Sequence, residues 1–188
     1  MKKLFLVLVT TLFILETAIN AQEKFATQAG HIWIYSNASE VIEGHNKTVA
    51  SFLDITTGDI AFRLLVKSFK FEQALMEEHF NENYMESTTF PKSDFKGKIT
   101  NLSDINFKKD GIYKTKVEGA MTIHGVTKTI QADGSLEVKG STVKISVQIP
   151  IVPEDYKVEI PSIVRDKIAK SITVNVNMSY DPLQAPKK

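Results

Sequence analysis

The feature that most constrains the fold of this sequence is a long alternation of apolar and polar residues. Between Ile172 and Tyr180 every second residue is apolar, and the residues between them are Thr, Asn or Ser. A period of two is typical of a β-strand with one face in a core and the other in solvent. The same pattern recurs between residues 60 and 66, 113 and 123, and 143 and 149. The chain is therefore predicted to be rich in strands.

Turn-forming residues separate these runs. Gly58, Gly111, Gly134 and Gly140 each stand beside an Asp or a Ser, the residue types that favour tight turns. Roughly eight or more strands at hairpin spacing indicate an antiparallel barrel or sandwich. No helical pattern recurs between the strands, so a parallel α/β fold is disfavoured. The predicted fold class is all-β.

Two stretches depart from the alternation. In the first, from Phe69 to Thr88, the residues Phe71, Leu75 and Phe80 recur at near-helical spacing and predict a short helix with an irregular end. The second, from Pro161 to Ser171, begins with a proline and carries an apolar stripe, so it is predicted to form another short helix or helical turn. We expect one or two short helices beside the strands.

Residues 1–21 have the layout of a secretory signal peptide. Lys2 and Lys3 precede an apolar run from Leu4 to Leu15, and Ala21 is a small residue at the expected cleavage site. The apolar run is too short to span a bilayer, which requires about 20 residues. We therefore expect cleavage after Ala21, a periplasmic or secreted protein without a transmembrane segment, and a single domain over residues 22–188.

The composition argues against several classes of function. The chain has 23 basic and 22 acidic residues, and loss of Lys2, Lys3 and Glu16 with the signal would leave a net charge of zero. A neutral protein has no long-range field that attracts nucleic acid, so no nucleic-acid partner is predicted. The sequence has no cysteine, which excludes a thiol nucleophile and a thiolate metal site.

The four histidines are the main candidates for chemistry. Strand parity places His124 on a polar face, at a turn before Gly125, so we expect it to be solvated and outside the core. His79 is expected on the solvated face of the first helix, while His31 and His45 are isolated in sequence. Neither HExxH nor GxSxG is present, and no metal site or catalytic residue is predicted. A catalytic triad scattered along the sequence remains open.

Phenylalanine is frequent, with 11 residues against five tyrosines and one tryptophan. An eight-stranded closed sheet has an interior that side chains fill or that holds a small ligand. Phe and Met are both suited to lining an apolar pocket. Periodicity does not distinguish a filled barrel from a hollow one, so both remain open at this point.

Three segments resemble the YceI-like family. GAMTIHGVTKTI, residues 119–130, is similar to the family's signature hairpin. Residues 74–99 resemble its helix-and-return segment, and EDYKVEIP, residues 154–161, resembles its late loop. The resemblance covers about residues 32–180 and implies an exported, lipocalin-like antiparallel β-barrel of about eight strands. It also implies a long apolar cavity for a polyisoprenoid or another amphiphilic lipid, with no catalytic set and no cofactor.

The leading hypothesis is therefore an exported lipid-binding protein that holds an apolar chain inside the barrel. Strand parity predicts the inward-facing side chains, and the first helix is expected to supply a movable lid or plug. The candidate lining residues are Phe62, Leu64, Phe71, Leu75, Met76, Phe80, Val117, Met121, Val143, Ile145, Val147, Val174 and Val176. Two alternatives remain: a solid-cored interaction or adaptor protein of the envelope, and an enzyme that uses His124 or His79.

Overall fold

The computed structural model describes residues 23–183, and nine β-strands dominate them. In chain order the strands are β1 (Lys24–Asn37), β2 (Val41–Asp54), β3 (Asp59–Leu65), β4 (Lys70–Phe71), β5 (Lys92–Ile99), β6 (Gly111–Ile123), β7 (Val126–Lys139), β8 (Thr142–Ile151) and β9 (Ile172–Pro182). Every pairing between them is antiparallel. The four alternating runs of the sequence lie in β3, β6, β8 and β9, apart from Val66, which directly follows β3.

The strands form a closed barrel. Their order around the sheet is β1, β9, β8, β7, β6, β5, β3 and β2, and a pairing between β2 and β1 closes the ring. This closing pair extends from Lys24 opposite Asp54 to Asn37 opposite Val41. The ninth strand, β4, adds only two residues beside β2. The predicted all-β, lipocalin-like antiparallel barrel of eight strands is therefore confirmed.

One short α-helix, α1 (Ala74–His79), interrupts the strands and continues as a π-helical turn at Phe80–Tyr84. This is the first predicted helix, including its irregular end. The second predicted helix is a 3₁₀ segment, Ser162–Lys167. Its Ile163 is 89% exposed, while Val164 and Ile168 are half-buried against the core, so only part of the predicted apolar stripe is covered. Further 3₁₀ turns lie at Val66–Ser68, Leu102–Asp104 and Pro153–Tyr156.

Most of the predicted turns lie between strands, but the one at Asp133-Gly134 does not. Both residues lie inside β7, where Gly134 pairs with Thr115 on one side and Val147 on the other. A Cβ on Gly134 would lie 2.4 Å from the carbonyl oxygen of Ser146. Glycine is needed at this position because the backbone of β8 approaches too closely for a side chain, and not because the chain turns there.

The barrel has two different ends. The connections β1–β2, β3–β5 (residues 66–91), β6–β7 and β8–β9 (residues 152–171) lie at one end, which we call the open end. The connections β2–β3, β5–β6 and β7–β8 lie at the other end, which we call the filled end. Because neighbouring strands run in opposite directions, each end collects every second connection of the chain.

The filled end contains a packed apolar core in which Leu53, Leu136 and Tyr180 are fully buried. The Tyr180 hydroxyl donates to Oγ of Ser51 at 2.8 Å, and Ser51 donates to the carbonyl oxygen of Ala61, also at 2.8 Å. Burial raises the pKa of Tyr180, so its hydroxyl keeps the proton that it donates. Each of the two buried hydroxyl groups therefore donates one hydrogen bond.

The predicted signal peptide, residues 1–21, lies outside the described residues. Within residues 23–183 no helix is long and apolar enough to cross a membrane. The α-helix α1 has six residues, whereas a helix that spans a membrane requires about 20.

Candidate ligand-binding cavity

A cavity of about 400 Å³ occupies the open end of the barrel. Small-molecule sites commonly enclose about 300–1,000 Å³. The wall consists of inward-facing side chains from the open ends of the strands, including Ile32, Leu64, Met121 and Ile151. Because every second residue of a barrel strand faces the interior, the alternation of the sequence makes this wall mainly apolar, with Ser36 and Ser93 as polar positions in the strands.

The floor of the cavity rests on two glycines. Gly97 of β5 and Gly119 of β6 lie opposite each other. A Cβ on Gly97 or Gly119 would lie 2.5 or 2.8 Å from Cζ of Phe95, so the ring of Phe95 lies over both. Phe62 stacks on Phe95 with ring centroids 5.5 Å apart, and Phe62 faces the cavity. This aromatic pair separates the cavity from the packed core.

The segment after β3 forms one side of the cavity. Its Phe80 ring lies 5.2 Å from that of Phe69 and 5.0 Å from that of Phe71, measured between centroids. The Phe71 ring packs directly on Gly44 of β2, where a Cβ would lie 2.4 Å from the ring. Met76 of α1 also lines the cavity, although no residue of α1 is buried. Aromatic contacts therefore hold α1 at the open end without sealing it into the core.

The β8–β9 connection forms another side. Tyr156, Val158 and Ile160 are buried and line the cavity although they lie outside the strands. Arg165 fixes this loop, because its guanidinium donates to the Ile160 carbonyl oxygen at 3.2 Å and pairs with the Glu154 carboxylate. The hydrogen bond from Arg165 lowers the pKa of Glu154. Our sequence prediction missed these lining residues, whose signal is the short alternation in KVEIP.

Exposed polar residues mark the mouth of the cavity: Glu40, Gln73, His79 and Lys167 all belong to its lining. Nζ of Lys167 lies 2.7 Å from the Glu40 carboxylate. The hydrogen bond from this contact raises the pKa of Lys167, which is therefore protonated at neutral pH. The mouth is polar, and its ion pair is neutral as a whole.

The prediction that His124 is solvated is wrong, since the residue is 7% exposed. Its backbone has φ of +49°, and Gly125 follows with φ of +73°. Two consecutive positive φ values are required by a type I′ hairpin turn. The turn removes His124 from the alternation of β6, so strand parity does not apply to it. Its ring instead packs against Phe90, with centroids 4.3 Å apart.

His124 connects two segments that cover the cavity. Its Nδ1 lies 3.2 Å from the carbonyl oxygen of Tyr156. Its Nε2 lies 3.3 Å from a carboxylate oxygen of Glu86, although the two are not aligned for a hydrogen bond. Glu86 directly follows Met85, and both Met85 and Tyr156 line the cavity. His124 therefore fastens the hairpin to both covering segments.

The structure divides the predicted lining residues into two groups. Eight of them line the cavity: Phe62, Leu64, Phe71, Leu75, Met76, Phe80, Met121 and Val174. The other five are buried in the core of the filled end and do not line it: Val117, Val143, Ile145, Val147 and Val176. Strand parity identifies the inward face of a strand but carries no information about depth along the barrel axis.

Strand pairing brings together two histidines that are isolated in sequence. His31 of β1 and His45 of β2 approach to 3.0 Å between Nε2 of His31 and Nδ1 of His45. His79 stays exposed at the mouth. Among residues 23–183, no group of three or more His, Cys, Asp or Glu residues could hold a metal ion.

The closed antiparallel barrel with an apolar cavity at one end defines a lipocalin-like class, in which the barrel interior has room for a small ligand. The sequence profile of the YceI-like domain matches residues 18–180. The chain therefore belongs to the YceI-like family, and the resemblance noted from its sequence motifs is confirmed. No curated protein matches the chain at a significant level.

Solved structures share the fold at low sequence identity. A polyisoprenoid binding domain from Saccharophagus degradans superposes with a TM-score of 0.72 at 13% identity, covering 86% of this chain and 99% of that domain. BcnA of Burkholderia cenocepacia gives 0.66 at 18% identity, covering 80% and 95%. The YceI protein of Campylobacter jejuni gives 0.59 at 18% identity, covering 75% and 85%.

Proposed function

We propose that this protein binds a polyisoprenoid or a similar amphiphilic lipid in the cavity at the open end. The observation that carries the proposal is the apolar lining of a cavity inside a closed barrel. Membership of the YceI-like family supports it. So does the likeness in fold to a domain described as polyisoprenoid binding.

Burial of the lipid chain supplies the binding free energy in this proposal. Removing apolar surface from water contributes about 25 cal/mol per Å². A hydrocarbon chain needs no hydrogen-bond partner, and the cavity wall is suited to such a chain. Met76, Met85 and Met121 belong to this wall, and their unbranched side chains adapt to ligands of irregular shape. The site therefore suits a class of chains more than one particular molecule.

The mouth suits a head group that is neutral or weakly polar. Lys167 is already paired with Glu40 at 2.7 Å, so an anionic head group would have to compete with a carboxylate for the same ammonium group. Gln73 and His79 offer hydrogen bonds to a hydroxyl or carbonyl group at the same opening. We propose that the lipid places its chain over Phe62 and its head group at the mouth.

Apolar side chains on the rim suggest the route of uptake. Leu75 is 60% exposed and Ile163 is 89% exposed, and each directly precedes a lining residue, Met76 or Val164. Large exposed apolar side chains beside an opening commonly contact a ligand or a membrane. We propose that α1 acts as a lid, with these side chains guiding the lipid past it.

We also propose that the protein acts outside the cytoplasm. Residues 1–21 support export through their basic start, apolar run and small residue at position 21. N-terminal sequencing of protein from the periplasmic or secreted fraction should begin at Gln22. Recovery of the chain only from the cytosolic fraction, with Met1 to Ala21 intact, would contradict export.

The direct test of lipid binding is extraction of protein that was purified without detergent. Organic extraction followed by mass spectrometry should release an isoprenoid or similar amphiphile in near-stoichiometric amount. Competition between a labelled prenyl lipid and a labelled straight-chain fatty acid then measures the preference of the cavity. A protein that is consistently empty and also takes up neither probe would overturn the proposal.

A further inference from the structure

Two histidines meet on the outer face of the barrel wall, away from the cavity. On β1, Ile32 and Ile34 line the cavity, so the alternating residues His31 and Trp33 face outward. His45 of β2 also faces outward, with 38% of its side chain exposed. Pairing of β1 with β2 brings Nε2 of His31 to 3.0 Å from Nδ1 of His45.

The distance between the two nitrogens fits adjacent ligands of one metal ion. Imidazole nitrogens bind metals such as zinc at about 2.0–2.1 Å, so two of them at a right angle are about 2.9 Å apart, and at a tetrahedral angle about 3.4 Å. The observed 3.0 Å between the nitrogens of His31 and His45 is close to the right-angle value. Square-planar and tetragonal sites with right angles are typical of Cu(II) and Ni(II).

Neighbouring side chains orient both imidazole rings for metal binding. Oε1 of Glu43 lies 3.3 Å from Nε2 of His45. A proton on that Nε2 leaves Nδ1 of His45 to accept a hydrogen bond from Nε2–H of His31. A metal ion would take the place of the proton in this hydrogen bond, and carboxylate contacts such as that of Glu43 orient metal-binding imidazoles. Trp33 stacks on His31 with ring centroids 4.8 Å apart and limits its rotation.

A metal ion must displace the proton from each imidazole nitrogen that it binds, and the charge of Lys47 acts on His31. Lys47 also disfavours a bound cation, so the site needs a metal with high intrinsic affinity for imidazole. Cu(II) has the highest affinity among the divalent first-row metals.

We propose that His31 and His45 form a surface site for a divalent transition metal, with Cu(II) preferred over Ni(II) and Zn(II). Glu43 acts as a positioning residue for His45, and water completes the coordination. With only two protein ligands, the site binds metal exchangeably. A bound ion would connect β1 and β2, the two strands that close the barrel, without entering the cavity.

The position of Trp33 gives a direct test, because it is the only tryptophan in the chain and stacks on a proposed ligand. Titration of the full chain with Cu(II) in a non-chelating buffer should quench its fluorescence saturably at one ion per protein. His31→Ala and His45→Ala should each weaken binding at least tenfold. Electron paramagnetic resonance of the wild-type complex should show coupling to two nitrogens, and each variant should show coupling to one at most.

Two controls separate this site from binding elsewhere. His79→Ala removes an exposed histidine at the mouth, and its Cu(II) titration should match that of the wild type. Glu43→Gln should weaken Cu(II) binding about 10–100-fold if Glu43 orients His45, and should change the pH dependence of that binding. His31→Ala, His45→Ala and Glu43→Gln should keep their lipid uptake, because the proposed site lies outside the cavity.

A thermal measurement adds an independent readout. Cu(II) that binds only the folded protein raises its melting temperature, so the wild type should be stabilised and His45→Ala should not. Quenching that does not saturate, or that is the same in wild type, His31→Ala and His45→Ala, would overturn the proposal. Preferred binding of Zn(II) over Cu(II) would overturn the assigned geometry.

Discussion

The two halves of the barrel use the same strands but differ in what fills them. On β8, Ile145 is buried in the core while Ile151 lines the cavity. On β9, Val176 is buried in the core while Val174 lines the cavity. The apolar alternation is equally regular in both halves. The difference comes from the connections, because α1 and the β8–β9 loop cover the open end from its sides and leave the centre empty. Here the binding space is created by loops placed on a regular barrel.

The turns at the two ends differ as well. At the filled end, the positive φ values of +76° and +57° belong to Gly58 and Gly140. At the open end Gly125 has φ of +73°, but the non-glycine residues Glu86, His124 and Lys157 also have positive φ, of +42°, +49° and +58°. Such conformations cost non-glycine residues on the order of 1–3 kcal/mol and cluster at functional sites. All three lie in or beside the contacts through which His124 fastens the cover of the cavity.

Truncation of one isoleucine in each half should show the largest difference. Ile145→Ala leaves a new void in the packed core and should lower the free energy of unfolding by about 2–5 kcal/mol. Ile151→Ala only enlarges an existing cavity and should cost less than half as much. Urea unfolding of lipid-free protein measures both. Equal losses would show that the open half is as tightly packed as the filled half.

Replacement of one valine in each half by phenylalanine should lower stability in the filled half and lipid uptake in the open half. Val176→Phe overpacks the core and should cost about 1–3 kcal/mol of unfolding free energy. Val174→Phe has room in the cavity, so it should change stability little but strongly reduce uptake of a labelled prenyl lipid. Urea unfolding and a lipid-uptake assay distinguish the two. Normal uptake by Val174→Phe would show that the ligand does not occupy this space.

Removal of the Ser51 or Tyr180 hydroxyl group measures how much their buried hydrogen bonds stabilise the filled half. Ser51→Ala removes the acceptor of the Tyr180 hydroxyl and the donor to Ala61, and should lower the free energy of unfolding by roughly 1–2 kcal/mol. Tyr180→Phe leaves the bond from Ser51 to Ala61 intact and should cost about 1 kcal/mol or less. Thermal and urea unfolding measure the two losses. A larger loss for Tyr180→Phe would contradict the assigned direction of donation.

The smallest expected effect concerns the strained turns. Lys157→Gly should raise the free energy of unfolding by about 0.5–1 kcal/mol, because glycine adopts positive φ without strain. Gly140→Ala is the matched control at the filled end, where an added Cβ meets no atom within 4 Å. It should lower the free energy of unfolding by a similar amount. Urea unfolding that gives both changes the same sign would contradict the assignment of backbone strain.

The alternation was sufficient for the all-β class and for the inward face of each strand, because both depend on a local period of two. The choice of a barrel over a sandwich came from the resemblance to the YceI-like family. The alternation was not sufficient for depth along the barrel, which decides whether Val174 or Val176 meets the cavity. The burial of His124 depends on two consecutive positive φ values, which interrupt the parity that predicted exposure. The pairing of His31 with His45 depends on strand register across 14 residues of sequence. Each failure concerns a contact between segments, about which local periodicity carries no information.

The central claim is that the open half holds a lipid while the filled half does not. Native mass spectrometry of wild type and Val174→Phe, each purified without detergent and then incubated with one prenyl lipid, tests it most directly. We predict a 1:1 lipid adduct on the wild type and its loss in folded Val174→Phe. An adduct of equal abundance on both proteins, or on neither, would contradict the claim.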